Sequence, residues 1–269
     1  MSRRAWLSRL RGATRPGDDI APSDPPPPRP TRRTYAVGDI HGCLEALEAI
    51  LAMIAADTAD APHDIVFLGD YVDRGPASAG VLDRLMALDA ARDSVHCLAG
   101  NHDLMLLDTI AVPENGPAWL AMGGDATLAS LGCLPQRPAE GGSAARNAAR
   151  AAALDAALGP ERQAWLGSLP LWWQSGNLVA VHALTDPAKP MAEQETGCLI
   201  RARPGPDLVP RHDGAWVVHG HTMVAEPCVR AGHVAIDTGA FAGGPLTAAV
   251  FTPDGAPPRF LQTPRGDAP

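Results

Sequence analysis

Between residues 34 and 110 one pattern occurs three times in succession: a short apolar run, a polar loop containing glycine, and a stretch with apolar residues at helical spacing. Residues 34–37, 64–68 and 94–98 read as strands, and 44–56, 78–91 and 104–110 read as helices. Alternation of this kind builds parallel strands joined by right-handed crossovers, so the three loops converge at one end of one sheet. Ligands of such sheets gather beyond the strand C-termini. The fold class is therefore α/β, and polar side chains in those loops are the first candidates for function.

Residues 113–170 break the rhythm with Gly116-Pro117, Gly123-Gly124 and Gly141-Gly142, then an alanine-rich run over 144–158 with high helix propensity. This reads as a helical insert. Beyond it, 171–174 and 178–182 flank Ser175-Gly176-Asn177 as a hairpin, and further strands are expected at 216–219, 234–236 and 246–251. The second half is β-rich, and no solenoid-type repeat is present. The main domain is expected over 34–252, followed by a C-terminal strand and flexible end over 253–269. Residues 1–33 combine eight Arg with the run Pro25-Pro26-Pro27-Pro28 and read as a basic, disordered tail.

The chain has 269 residues, 46% hydrophobic and 19% charged, enough to bury a core. The tail carries a net charge of +5, which leaves −13 for the rest of a chain whose total is −8. An acidic body disfavours a nucleic-acid-binding surface, so no nucleic-acid partner is expected. No apolar run approaches the roughly 20 residues of a membrane span, and no signal-peptide core is evident. A cytoplasmic protein is expected. Five cysteines without a CxxC pair suggest neither a disulfide framework nor a zinc ribbon. The sequence does not determine the oligomeric state.

The first loop reads Gly38-Asp39-Ile40-His41-Gly42, the second Gly69-Asp70-Tyr71-Val72-Asp73-Arg74-Gly75, and the third Gly100-Asn101-His102-Asp103. Any one of them is ordinary turn and capping chemistry. Three in register, each with a metal-capable side chain after a strand, are not. Oxygen and nitrogen donors without thiolates suit hard or borderline divalent ions such as Mn, Fe or Zn. His182 and His221 end later apolar strands and extend the donor set, whereas His63, His96, His212, His219 and His233 read as structural. The planar fork of Arg74 suits a phosphate. Trp119, Trp165, Trp172 and Trp173 read as core residues or as platforms for a nucleobase.

These three loops resemble the signature motifs of the calcineurin-like metallophosphoesterases, and more narrowly of their phosphoprotein phosphatase branch. The resemblance extends over about 34–252 and includes Ile236-Asp237-Thr238-Gly239-Ala240 with Gly243-Gly244-Pro245-Leu246. It implies an α/β-β/α sandwich of two mixed β-sheets flanked by helices. It further implies two divalent ions, most readily Mn, one held by Asp39, His41 and Asp70 and the other by Asp70, Asn101, His182 and His221. In that reading a hydroxide held between the metals attacks phosphorus in line. His102 is then the general acid, Asp73 orients it, and Arg74, Asn101 and Arg201 bind phosphate, with Arg203 as the substitute for Arg201. The third motif ends in Asp103 where eukaryotic members carry Glu.

The resemblance implies a phosphatase, with a serine/threonine protein phosphatase as the first expectation and a phosphoprotein as partner. The alternative is a symmetrical bis(5'-nucleosyl)-tetraphosphatase, which uses the same ligands on a nucleotide phosphate. A third reading, a catalytically silent binding protein, requires a lost ligand, and none of the expected ligands is missing.

Overall fold

The computed structural model describes residues 25–59, 61–134 and 142–266. Three strand–helix units open the fold: β1 (Arg33–Val37) with α1 (Leu44–Thr58), β2 (His63–Phe67) with α2 (Ser78–Ala91), and β3 (Val95–Cys97) with α3 (Asn101–Ala111). Asn101, His102 and Asp103 thus form the first turn of α3 rather than a loop before it. Short helices α4 (Gly116–Trp119) and α5 (Asp125–Ser130) follow. The long α6 (Ser143–Ser168) is broken at Gly159, whose φ of 75° precedes Pro160. The second half contributes β4 (Trp172–Ser175), β5 (Leu178–Val181), α7 (Thr196–Arg201), β6 (Trp216–His219), β7 (Cys228–Arg230), β8 (His233–Ala235), β9 (Thr247–Phe251) and β10 (Arg259–Gln262).

Two five-stranded mixed sheets result, ordered β10-β9-β1-β2-β3 and β4-β5-β6-β8-β7. In the first, β1, β2 and β3 are parallel and β9 runs antiparallel to β1. Strand periodicity then divides the apolar residues between two faces. Ala36, Val66, Leu68 and Phe251 meet Leu178, Ala180, Val218 and Ile236 of the other sheet. Tyr35, Val37, Ile65 and Phe67 face the helices, packing with Leu47, Ile50, Leu82 and Leu106. Both faces are covered, which is why these strands read as continuous apolar runs instead of alternating ones. Among the described residues no helix is long and apolar enough to cross a membrane.

The expectation of an unpacked tail through residue 33 needs correction over its last part; residues 1–24 lie outside the described residues. Pro28 and Pro30 are buried. Trp216 Nε1 donates to Pro26 O at 2.6 Å, Asn177 Nδ2 donates to Pro27 O at 3.1 Å, and Arg29 N donates to Asn177 Oδ1 at 2.6 Å. A polyproline segment has no internal backbone bonds, so side chains of the second sheet can take up its carbonyls. Gly176 closes the β4–β5 turn at φ 57°, and a Cβ there would lie 2.0 Å from Arg29 O. Gly176→Ala is expected to lower stability by about 1–3 kcal/mol through combined strain and displacement of this segment. Gly197→Ala, where an added Cβ meets nothing within 4 Å, should not. Thermal melting of the two variants measures the difference.

Candidate metal centre

The loop after β1 places Asp39 and His41, the loop after β2 places Asp70, Asp73 and Arg74, and the start of α3 places Asn101, His102 and Asp103. His182 follows β5 and His221 follows β6, from the second sheet. Asp39, His41, Asp70, Asn101, His102 and His182 are all buried. His41, Asp70, Asp73, Arg74 and His221 have left-handed backbones with φ between 45° and 73°. For residues other than glycine that conformation is uncommon and costs about 1–3 kcal/mol each. Surrounding contacts hold it in place. His41 N donates to Asp70 O at 2.9 Å and Arg74 N to Gly123 O at 3.0 Å.

Asp103 acts here through the backbone. Its Oδ2 accepts from Asp70 N at 2.8 Å and Gly100 N at 2.9 Å, and its Oδ1 from Tyr71 N at 2.9 Å. One carboxylate therefore ties the second loop to the start of α3. Burial and the neighbouring charge of Asp70 push its pKa up to about 7, against the pull of those three N–H groups.

Asp70 is the centre of the cluster. Its Oδ2 lies 3.4 Å from His182 Nε2 and 3.5 Å from His41 Nε2, and its Oδ1 accepts from His102 N at 2.9 Å. His41 Nδ1 donates to Val72 O at 2.7 Å and His182 Nδ1 donates to Leu68 O at 3.0 Å. Those bonds fix the tautomers, so both Nε2 atoms present lone pairs to a carboxylate that is itself only an acceptor. Asn101 Oδ1, another acceptor, lies 3.0 Å from His182 Nε2. His41 Nε2 is buried without a partner. Burial lowers the His41 pKa to about 3 and that of His221 to about 4, and lowers His182 as well, so these rings are neutral at physiological pH. Converging acceptors with no donor among them fit divalent cations.

Two groups have ligand atoms close enough to share an ion: His41, Asp70 and His102, and Asp70, His182 and His221. Asp70 belongs to both, as a bridging carboxylate must. The second group, extended by Asn101, matches the set implied by the resemblance. The first contains His102 where that set has Asp39. His102 Nε2 is the less suited ligand, being 4.0 Å from Asp70 Oδ2 and 3.1 Å from Arg74 Nη2. Asp39 accepts from His221 N at 3.1 and 3.2 Å. Its pKa is raised well above the usual carboxylate value by burial and by the charges of Asp237 and Asp70.

His102 Nδ1 donates to Asp73 Oδ2 at 2.7 Å. Arg74 crosses the Phe241 ring at 4.4 Å from its centroid, and the same ring stands edge-on to His41 at 5.1 Å. Asp237 enters the sequence pattern only within the closing segment that carries the resemblance, and Phe241 lies between the two stretches of that segment with no spacing signal of its own. Arg201 ends α7 and Arg203 lies two residues further on, both exposed. The Arg201 backbone accepts a hydrogen bond from the His221 ring, and the Arg203 guanidinium depresses the charge of that ring. Trp119 is fully buried and directs Nε1 at Asp73, so it is no platform for a base. Trp165 Nε1 donates to Asp89 Oδ2 at 2.8 Å, and Trp173 packs against His96 at 5.0 Å.

A bis(5'-nucleosyl)-tetraphosphatase, symmetrical, of Acidovorax ebreus is 32% identical over 264 residues, covering 81% of this chain and 91% of that one. One of Pseudomonas fluorescens Pf-5 with the same name is 51% identical over 75 residues, a stretch that spans 28% of this chain and 24% of its relative. A crystal structure of a candidate diadenosine tetraphosphatase superposes with a TM-score of 0.58 at 22% identity, covering 90% of this chain and 97% of that one. A cold-active protein-tyrosine phosphatase of a Shewanella species superposes at 0.53 and 17% identity, with 90% and 83% covered. At such identities the structures show a shared fold. The calcineurin-like phosphoesterase model matches residues 32–225, the span that holds every donor of the cluster, and the chain belongs to that family.

Proposed function

We propose that this chain hydrolyses a dinucleoside tetraphosphate symmetrically, releasing two nucleoside diphosphates. The observation that carries this reading is the 32% identity to the Acidovorax protein along 91% of its length, since the metal cluster alone suits any phosphate ester or anhydride. That match favours the tetraphosphatase over the protein phosphatase that the sequence first suggested.

Asp39, His41 and Asp70 would hold one ion, and Asp70, Asn101, His182 and His221 the other. Such a pair polarises phosphoryl oxygens and makes hydroxide available near neutrality. The chain itself supplies the rest. Arg74 would take phosphate oxygens through its fork, with Arg203 or Arg201, both near His221, as the second arginine. His102, its Nδ1 tied to Asp73, directs Nε2 into the cluster and delivers a proton to the leaving oxygen. Arg74 Nη2 donates to that nitrogen at 3.1 Å in the structure, so the proton that His102 delivers is one the ring takes up there before transfer.

Metal-stripped protein refilled with Mn, Zn or Mg should convert a dinucleoside tetraphosphate to two diphosphates faster than it dephosphorylates a phosphothreonine peptide; preference for the peptide reverses the assignment. Replacing His102 by Asn should slow turnover by roughly 10²- to 10⁴-fold while metal content, read by atomic absorption, stays at the wild-type level. Asp70→Asn should lose both. Burial first, then the charges of Asp237 and Asp70, raise Asp39 well above the usual carboxylate value. A ligand must shed its proton to bind metal, so ion affinity measured by calorimetry should rise as pH increases through the acidic range toward neutrality.

A further inference from the structure

Asp73 has no exposed surface, and its carboxylate is held from three sides. Besides His102 Nδ1, Trp119 Nε1 donates to Oδ2 at 2.9 Å and to Oδ1 at 3.1 Å, and Thr127 Oγ1 donates to Oδ1 at 2.7 Å. The same threonine hydroxyl accepts from Asp73 N at 2.8 Å, and Ser78 Oγ lies 3.1 Å from it. One hydroxyl thus grips both ends of a residue whose backbone is left-handed at φ 73°. Trp119 and Thr127 are fully buried. The close packing extends to both glycines between them, since a Cβ on Gly124 would lie 2.4 Å from the Trp119 indole and one on Gly123 2.8 Å from Arg74 Cγ.

We propose that Trp119 and Thr127 are positioning residues for the general acid. They keep the Asp73 carboxylate in one orientation, which holds the proton on His102 Nδ1 and aims Nε2 at the leaving oxygen. The inference rests on the reading of His102 as the acid. In the step concerned, a hydroxide oxygen forms the new bond to phosphorus and the bond from phosphorus to the leaving oxygen breaks. The electron pair of that bond stays on the leaving oxygen, and one proton passes to it from Nε2 of the His102 imidazolium, which leaves a neutral ring with its proton on Nδ1. Asp73 retains the Nδ1–H bond throughout.

The need for that proton grows with the basicity of the leaving oxygen. A residue that only supports the fold would change all substrates alike, whereas one that aims the acid changes poor leaving groups most. Thr127→Val removes the hydroxyl at similar shape, Trp119→Phe removes the indole N–H, and Thr127→Ser keeps the hydroxyl. With metal-loaded full-length protein, kcat for phenyl phosphate should fall about 10- to 100-fold in the first two variants, a fraction of the full worth of acid catalysis. KM should hold, p-nitrophenyl phosphate should lose about threefold or less, and Thr127→Ser should restore the rate. Nitrogen NMR of the His102 ring provides a readout free of turnover: the Nδ1–H tautomer should be single in the wild type and mixed in Thr127→Val. Equal losses on both aryl phosphates, or an unchanged ring tautomer in a folded Thr127→Val protein, overturns the proposal. If the wild type cleaves aryl phosphates and ignores the dinucleotide, the substrate assignment fails and this proposal stands.

Discussion

A carboxylate surrounded by lone pairs is the constraint on which this structure turns. Asp70 is 2% exposed and faces two imidazole nitrogens that hydrogen bonds elsewhere oblige to be acceptors. Buried charges persist when they are paired or coordinate an ion. Among the described ion pairs no lysine or arginine reaches Asp70, and the partners within 4.0 Å of its carboxylate are His41, His102 and His182. The remaining compensation must come from outside the chain. The sheets serve that end by bringing strand C-termini together so that donors separated by more than 180 residues share one volume.

The left-handed turns follow from the same requirement. Donors can converge on a single point only if the chain reverses direction immediately after each strand, and at Asp70, Asp73 and Arg74 it does so without glycine, because the side chains at those positions have work to do. Asp103, Thr127 and the Gly123 carbonyl bond the backbone of that loop. Strain at these residues is thereby distributed into α3 and the α4–α5 segment. The helical stretch from Gly116 to Ser130 is part of the site's frame, not a lobe attached to it.

What could be read in the sequence follows a physical rule. Asp39, His41, Asp70, Asn101, His102, His182 and His221 are candidates from sequence because each follows an apolar run, and a residue's place at a strand end is a local property. The two-sheet architecture is legible only through the resemblance, because strand pairing across the second half is not a local property of the sequence. The contacts of Trp119 and Thr127 with Asp73 are not legible there, since that partner lies 46 and 54 residues away and the sequence marks Trp119 only as core or as a platform for a base. Polyproline composition suggested an unpacked segment, but the contacts that order Pro26 to Arg29 come from Asn177 and Trp216, about 150 and 190 residues later. β7 escaped notice because its three residues form an exposed edge with no apolar face to mark them.

Substrate choice is a separate matter from ligand geometry, and the residues divide accordingly. The ion-binding donors and the His102–Asp73 pair suit any phosphoryl transfer to water. Discrimination among phosphate substrates has to come from side chains beside that centre, and Phe241 beneath Arg74 is one of them. Its ring also meets His41 edge-on at 5.1 Å, so one apolar side chain sets the spacing between the guanidinium and a candidate ligand, and with it the room left for a phosphate chain.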